Sequence, residues 1–205
     1  MQHLIYDTHG QRKYLTASER NAFLKAAKNF DKSTFTLCWL MSVTGCRISE
    51  ALSLTTRSID VTGRLIIIEC LKKRKRGVFR SVPVPSELIE LIIEAHDLRD
   101  AMKDPRCSVH LWEFSRVTAY RRIRKVMDVA GINGSQAMPK GLRHSFGVTA
   151  IQSQVPLNLV QRWLGHADMR TTAIYASASG PEERSIAQRM WRSSAIALQE
   201  LCHAT

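Results

Sequence analysis

The chain has 205 residues, 44% hydrophobic and 23% charged, and its 30 Lys and Arg against 18 Asp and Glu give a formal charge of +12. That length and apolar content suit one domain with its own core and exclude a disordered basic tail. The charge favours a polyanionic partner, nucleic acid before an anionic membrane surface, and says nothing about fold.

Residues 1–14 carry no periodicity and read as a short polar arm. Thr16 and Glu19 make a capping-box pair that opens a helix with Phe23, Leu24 and Ala27 on its apolar side. A second helix follows 31–33, carried by Phe35, Leu37, Leu40 and Met41. It stops at the permissive Gly45, and another helix runs over 48–54. The period then changes, and 59–61, 65–68 and 79–84 predict short strands, the last two flanking a basic loop. From Ser86 an amphipathic helix turns Leu88, Ile92 and Ile93 inward and Glu87, Glu90 and Glu94 outward. Further helices are predicted over 117–129, about 141–153, about 156–164 and, beyond Gly180 and Pro181, about 182–199. The expected fold is α+β, mainly helical, with one small antiparallel sheet.

No apolar run is long enough to span a bilayer, and the opening Met1, Gln2 and His3 lack a basic-then-apolar signal pattern. Cys38, Cys46, Cys70, Cys107 and Cys202 are odd in number and unpatterned in spacing. They form neither a disulfide framework nor a zinc set, so reduced thiols in a cytoplasmic or nucleoid setting are expected.

Two basic clusters stand out. Lys72, Lys73, Arg74, Lys75 and Arg76 are consecutive, with Arg80 close behind. So short a turn suffers like-charge repulsion that phosphate contact would relieve, although a solvated loop is the plainer alternative. Arg121, Arg122, Arg124 and Lys125 lie on a predicted helix, where Arg121, Arg124 and Lys125 are neighbours at spacings of three and four and Arg122 points elsewhere. Both clusters are candidate DNA-binding surfaces. They do not separate an enzyme from a repressor.

Four segments hold unusual combinations: Thr44-Gly45-Cys46-Arg47-Ile48-Ser49-Glu50, Pro139-Lys140-Gly141-Leu142-Arg143-His144, Leu164-Gly165-His166, and Tyr175. Singly, each has a dull explanation: a surface Arg47–Glu50 pair, a satisfied helix histidine, a capped turn, a core aromatic. Their order, with Tyr175 nine residues after His166, resembles the catalytic domain of the tyrosine recombinases, or phage integrase family, over residues 14–192.

The resemblance implies that Arg47 and Arg143 clamp a scissile phosphate, that Tyr175 is the nucleophile, and that His144 and His166 help bind and activate the phosphate. It implies a general-acid lysine between the two strands. Lys72 is preferred for that role, with Lys73 and Lys75 open because loop lengths vary. Lys140, three before Arg143, stands where many members carry a histidine. A lysine donates to a phosphate but accepts a proton poorly at neutral pH. Glu50, one helical turn beyond Arg47, orients the site from behind its phosphate-binding residues or has a plain surface or helix-packing role, and both readings stay open.

The chemistry suits these residue types. Planar guanidinium groups answer the charge spread over a phosphodiester bidentately. A phenol with a reference pKa near 10 needs a base and a positive field before it attacks. Neither metal, cofactor nor ATP is expected, because the 3′-phosphotyrosyl ester conserves the bond energy. Double-stranded DNA is the implied partner, with self-association from dimer to tetramer on DNA, accessory DNA-binding proteins, and no membrane.

The division expected is an N-terminal arm over 1–14, a catalytic domain over 15–180, and a helix and tail over 181–205 that docks on a neighbouring subunit or on its own domain. Family members usually carry a core-binding domain ahead of the catalytic one. With so few residues before the match, that domain is expected to be absent. Two rival functions remain at this point, a DNA-binding remnant with an unused site and a type IB topoisomerase-like relaxation of supercoils.

Overall fold

The Thr16 hydroxyl accepts the Glu19 backbone N–H at 3.2 Å, and the Glu19 carboxylate accepts the Thr16 N–H at 2.8 Å. This reciprocal cap starts α1 (Ala17–Ala27) where the sequence predicts it. The computed structural model describes residues 5–71, 77–104, 106–177 and 187–188. Asp31 caps α2 (Lys32–Thr44), and Gly45 ends it with φ +61°, its N–H returning to the Met41 carbonyl. A Cβ at Gly45 would lie 2.7 Å from the Phe146 ring and 2.8 Å from Leu164, so the residue is needed for close approach as well as for its backbone angle.

After α3 (Ile48–Leu52) come β1 (Ile59–Asp60), β2 (Leu65–Glu69) and β3 (Phe79–Pro83), a three-stranded antiparallel sheet in the order β1-β2-β3. Ile66 pairs with Val82 and Ile68 with Arg80, and all four are buried on one face. Ile67 and Phe79 lie on the other face, exposed. The helices α4 (Ser86–Ala95), α5 (Arg116–Val129), α6 (Pro139–Gln152) and α7 (Leu157–Leu164) follow. Helix α6 begins two residues before its predicted start because Pro139 occupies its first turn, where a missing N–H costs nothing.

The main core joins α1, α2, α4 and α5 to the buried face of the sheet through Phe23, Leu37, Met41, Ile66, Leu88 and Ile123. A smaller cluster gathers Val148 and Ala150 of α6, Val160 and Leu164 of α7, and Tyr175. Helix α6 spans both, since Leu142 belongs to the main core. Among the described residues no helix is long and apolar enough to cross a membrane.

Two features depart from the sequence reading. Residues 5–14 do not hang as a polar arm: Ile5 and Tyr14 are buried in the smaller cluster, and Tyr6 bridges Arg12 in antiparallel fashion. So few apolar positions show no period, yet two suffice to seat the segment. The structure also has a short helix α8 (Arg170–Ala173) running into a 3-10 turn (Ile174–Ser177), where no element is predicted. Four-residue helices are too short to display a repeat. The helix predicted near 182–199 lies outside the described residues, apart from 187–188.

Candidate active site

Arg47 sits at the N-cap of α3, two residues after the left-handed Gly45. Glu50, three residues on and fully buried, accepts the Arg47 backbone N–H at 2.8 Å and its Nη1 at 2.7 Å. Burial opposes ionisation of Glu50, but Arg80 and Arg47 outweigh it and hold the carboxyl below its ordinary range. Glu50 thus both caps the start of α3 and holds the Arg47 guanidinium.

Arg143 projects from the first half of α6 and is buried. It spends two of its N–H donors on backbone, Nη1 on the Gly45 carbonyl at 2.8 Å and Nη2 on the Leu164 carbonyl at 2.7 Å. One side chain thus ties the α2–α3 turn to the end of α7. Burial, then the Arg47 charge, lower its pKa to about 10, so it stays cationic at neutral pH. Gly141, two residues earlier, admits no side chain: a Cβ there would meet the Gln136 carbonyl oxygen at 1.9 Å.

His144 is the neighbour of Arg143 and is buried, its Nδ1 lying 3.3 Å from the Tyr175 hydroxyl oxygen. His166 follows the left-handed Gly165 that ends α7. Its Nδ1 lies 2.9 Å from the Thr172 hydroxyl, and its ring stacks on that of Tyr175 at 6.2 Å between centroids and 16° between planes. Burial, then the charges of Arg143 and Arg47, push its pKa down to about 3, so its ring is neutral at physiological pH. Tyr175 is buried on the 3-10 turn after α8. Burial raises its pKa, and Arg143 and Arg47 offset part of that rise.

Arg47, Lys140, Arg143, His144, His166 and Tyr175 all line one cavity of about 470 Å³. Residues separated by more than a hundred positions in sequence therefore meet at one place. Lys140, on the first turn of α6, is exposed at this cavity. Lys72, Lys73, Arg74, Lys75 and Arg76 lie outside the described residues.

Three of the cations assigned to DNA are otherwise engaged. Arg80 is a correction: its side chain is only 3% exposed and is bound to Glu50, so it does not present itself to a duplex. Strand alternation carried the signal, since Arg80 lies two residues before the inward Val82. Arg122 pairs with Asp31 at 2.9 Å and lies over the Phe114 ring at 4.1 Å. Arg124 donates to the Ala137 carbonyl and approaches Asp128. Arg121 and Lys125 are exposed.

The sequence reading missed Arg116 and Tyr120, which line the same cavity from the start of α5. Their spacing of four placed them on one helical face, and that was the available signal. It also missed Thr172, whose hydroxyl meets His166; nothing in the local sequence marks that partner.

Against known proteins, the phage integrase family model matches residues 13–180. The chain is 30% identical over 154 residues to tyrosine recombinase XerD of Haemophilus ducreyi, covering 72% of this chain and 50% of that protein. It is 30% identical over 173 residues to tyrosine recombinase XerA of Thermococcus onnurineus, covering 82% and 58%. The chain thus spans about half the length of the curated relatives it matches. Among solved structures, a crystal structure of XerA recombinase superposes with a TM-score of 0.72 at 24% identity, over 86% of this chain and 64% of that one. A post-cleavage complex of XerH site-specific recombinase with palindromic difH substrate gives 0.71 at 23% identity, over 88% and 53%. With the helical framework, the small sheet and the family match agreeing over nearly the whole described chain, the protein belongs to the phage integrase family of tyrosine recombinases.

Proposed function

We propose that this chain is the catalytic part of a site-specific DNA recombinase, cutting and rejoining DNA through a 3′-phosphotyrosyl intermediate. One observation carries the reading: Tyr175, two arginines and two histidines line a single cavity, with His144 Nδ1 3.3 Å from the tyrosine hydroxyl. Arg47 and Arg143 hold the non-bridging oxygens of the scissile phosphate and stabilise the charge that develops there. The Tyr175 oxygen attacks phosphorus as its proton passes to His144. The phosphorus–5′-oxygen bond breaks, and the departing oxygen takes a proton from the lysine run, with Lys72 assigned by resemblance. A 5′-hydroxyl from a partner strand reverses the step without ATP. His166, neutral at physiological pH, donates a hydrogen bond to the phosphate from its Nε2 while Thr172 fixes its ring. Lys140 contributes charge to the phosphate, and the base role falls to His144.

Residues 15–180 form the catalytic unit and act on double-stranded DNA, held by Lys73, Arg74, Lys75, Arg76, Arg121 and Lys125. Residues 181–205 dock on a neighbouring subunit as dimers pair into tetramers on DNA, with accessory DNA-binding proteins where the target requires them. A DNA substrate puts the work in the bacterial cytoplasm or nucleoid.

The test is incubation with a nicked duplex bearing an inverted-repeat core, followed by a denaturing gel with and without protease. The parent chain is expected to form a protease-sensitive adduct. Tyr175→Phe is expected to abolish it while leaving the affinity for the same duplex intact. An adduct that persists in Tyr175→Phe sinks the assignment.

A further inference from the structure

Arg80 is a fully charged group on the inward face of β3, and each nitrogen of its guanidinium has a partner. Nη2 donates to Glu50 Oε2 at 2.7 Å, Nε to the Trp163 carbonyl at 2.7 Å, and Nη1 to Cys70 Sγ at 3.2 Å. These partners come from three separate places: α3, the last turn of α7 and the residue that follows β2. Burial works against its charge, and Glu50 more than offsets that effect.

Two of the partners lead directly to the proposed phosphate-binding residues. Glu50 uses its other oxygen to hold Arg47 Nη1 at 2.7 Å, so Arg80 and Arg47 share one carboxylate. The Trp163 carbonyl precedes the left-handed Gly165, and the next residue is His166. The adjacent Leu164 carbonyl is taken by Arg143 at 2.7 Å. Two arginines therefore cap the end of α7, where exposed carbonyls and the helix dipole favour cations. A Cβ at Gly165 would lie 3.0 Å from Arg80 Nη1 and 3.1 Å from Cys70 Sγ, so the turn is packed against this guanidinium.

We propose that Arg80 is a positioning residue for phosphodiester cleavage, fixing Arg47 through Glu50 and the His166 turn through the Trp163 carbonyl. This rests on the cleavage reading given above. A buried ion pair adds little net stability, because desolvation offsets the attraction. What the pair supplies here is geometry. A guanidinium with three donors in a rigid fork serves three elements at once, and a lysine cannot.

The experiment compares single-turnover adduct formation and duplex affinity for the parent, Arg80→Lys, and the double variant Glu50→Gln/Arg80→Met. The double variant removes both buried charges at similar volume, and the Arg47 guanidinium that it leaves without a carboxylate is part-exposed to solvent. Both variants are expected to bind the duplex like the parent and to form adduct about ten- to a hundredfold more slowly, the scale for groups that orient a site's ligands. A methylphosphonate at the scissile position lacks the charge that Arg47 holds, and on it the gap between variant and parent is expected to narrow. Parent-rate cleavage by either folded variant overturns the proposal, as does an equal gap on both substrates. Should the double variant fail to fold, Arg80→Lys decides on the same criteria. Absence of adduct in the parent instead removes the cleavage reading itself, which separates the two failures.

Discussion

His144 Nδ1 lies 3.3 Å from the Tyr175 hydroxyl, across two buried side chains contributed by α6 and by the turn after α8. The separation is slightly longer than a strong hydrogen bond, and in the proposed mechanism His144 is the base that closes it when substrate binds. His144→Asn is expected to slow adduct formation by about a hundredfold or more, the contribution of a positioned base. Lys140→Ala is expected to act mainly through weaker duplex binding. Single-turnover kinetics on both variants check this, and a larger chemical defect in Lys140→Ala would reverse the roles.

Gly147 sets how closely α6 approaches the tyrosine. A Cβ there would lie 2.6 Å from the Tyr175 ring, which has no slack because it is buried. Gly147→Ala is expected to destabilise the fold by about 1–3 kcal/mol through overpacking. It should also depress adduct formation while sparing duplex affinity. Thermal unfolding measured beside a cleavage assay checks both effects.

Acidification should destabilise the fold. Burial lowers the pKa of His96, with Asp31 offsetting part of the effect, and burial and nearby arginines lower that of His166 to about 3. Below the reference value of 6.5, unfolded histidines take up protons that the folded ones refuse. The unfolded state therefore binds more protons, and stability falls as pH drops below that value. Glu19, Asp31 and Glu50, also held below their ordinary range, continue the loss at lower pH. Unfolding midpoints between neutral pH and pH about 5 are expected to decline, less steeply in His96→Asn.

The cations of α5 divide by their partners. Arg121→Ala and Lys125→Ala, both at exposed positions, are expected to weaken duplex binding and each to reduce the salt slope by about 1. Arg122→Ala removes the Asp31 pair and the Phe114 contact, and is expected to cost about 1 kcal/mol of stability with little change in that slope. Affinity titrations at several salt concentrations, with denaturant melts, distinguish them.

Much of the framework was legible because its signals are local. The Thr16–Glu19 box, the Gly45 stop and the alternation of β2 and β3 each act within a few residues, and the elements form where those patterns lie. The motif residues Arg47, Arg143, His144, His166 and Tyr175 were legible as residue types in order. Arg80 was misread because charge was weighed above alternation. The seating of Ile5 and Tyr14 gave no periodic signal at all.

The sequence by itself determined the helical character, the small sheet, the basic charge and the order of the motif residues, since these depend on composition and short-range spacing. Only the tertiary structure decided which partner each described cation meets. Whether an arginine faces a duplex, a buried carboxylate or a backbone carbonyl depends on elements remote in the chain. Arg80 meets Glu50 and Trp163, Arg143 meets Gly45 and Leu164, and Arg122 meets Asp31. A buried charge needs a partner, and the fold alone brings that partner within reach.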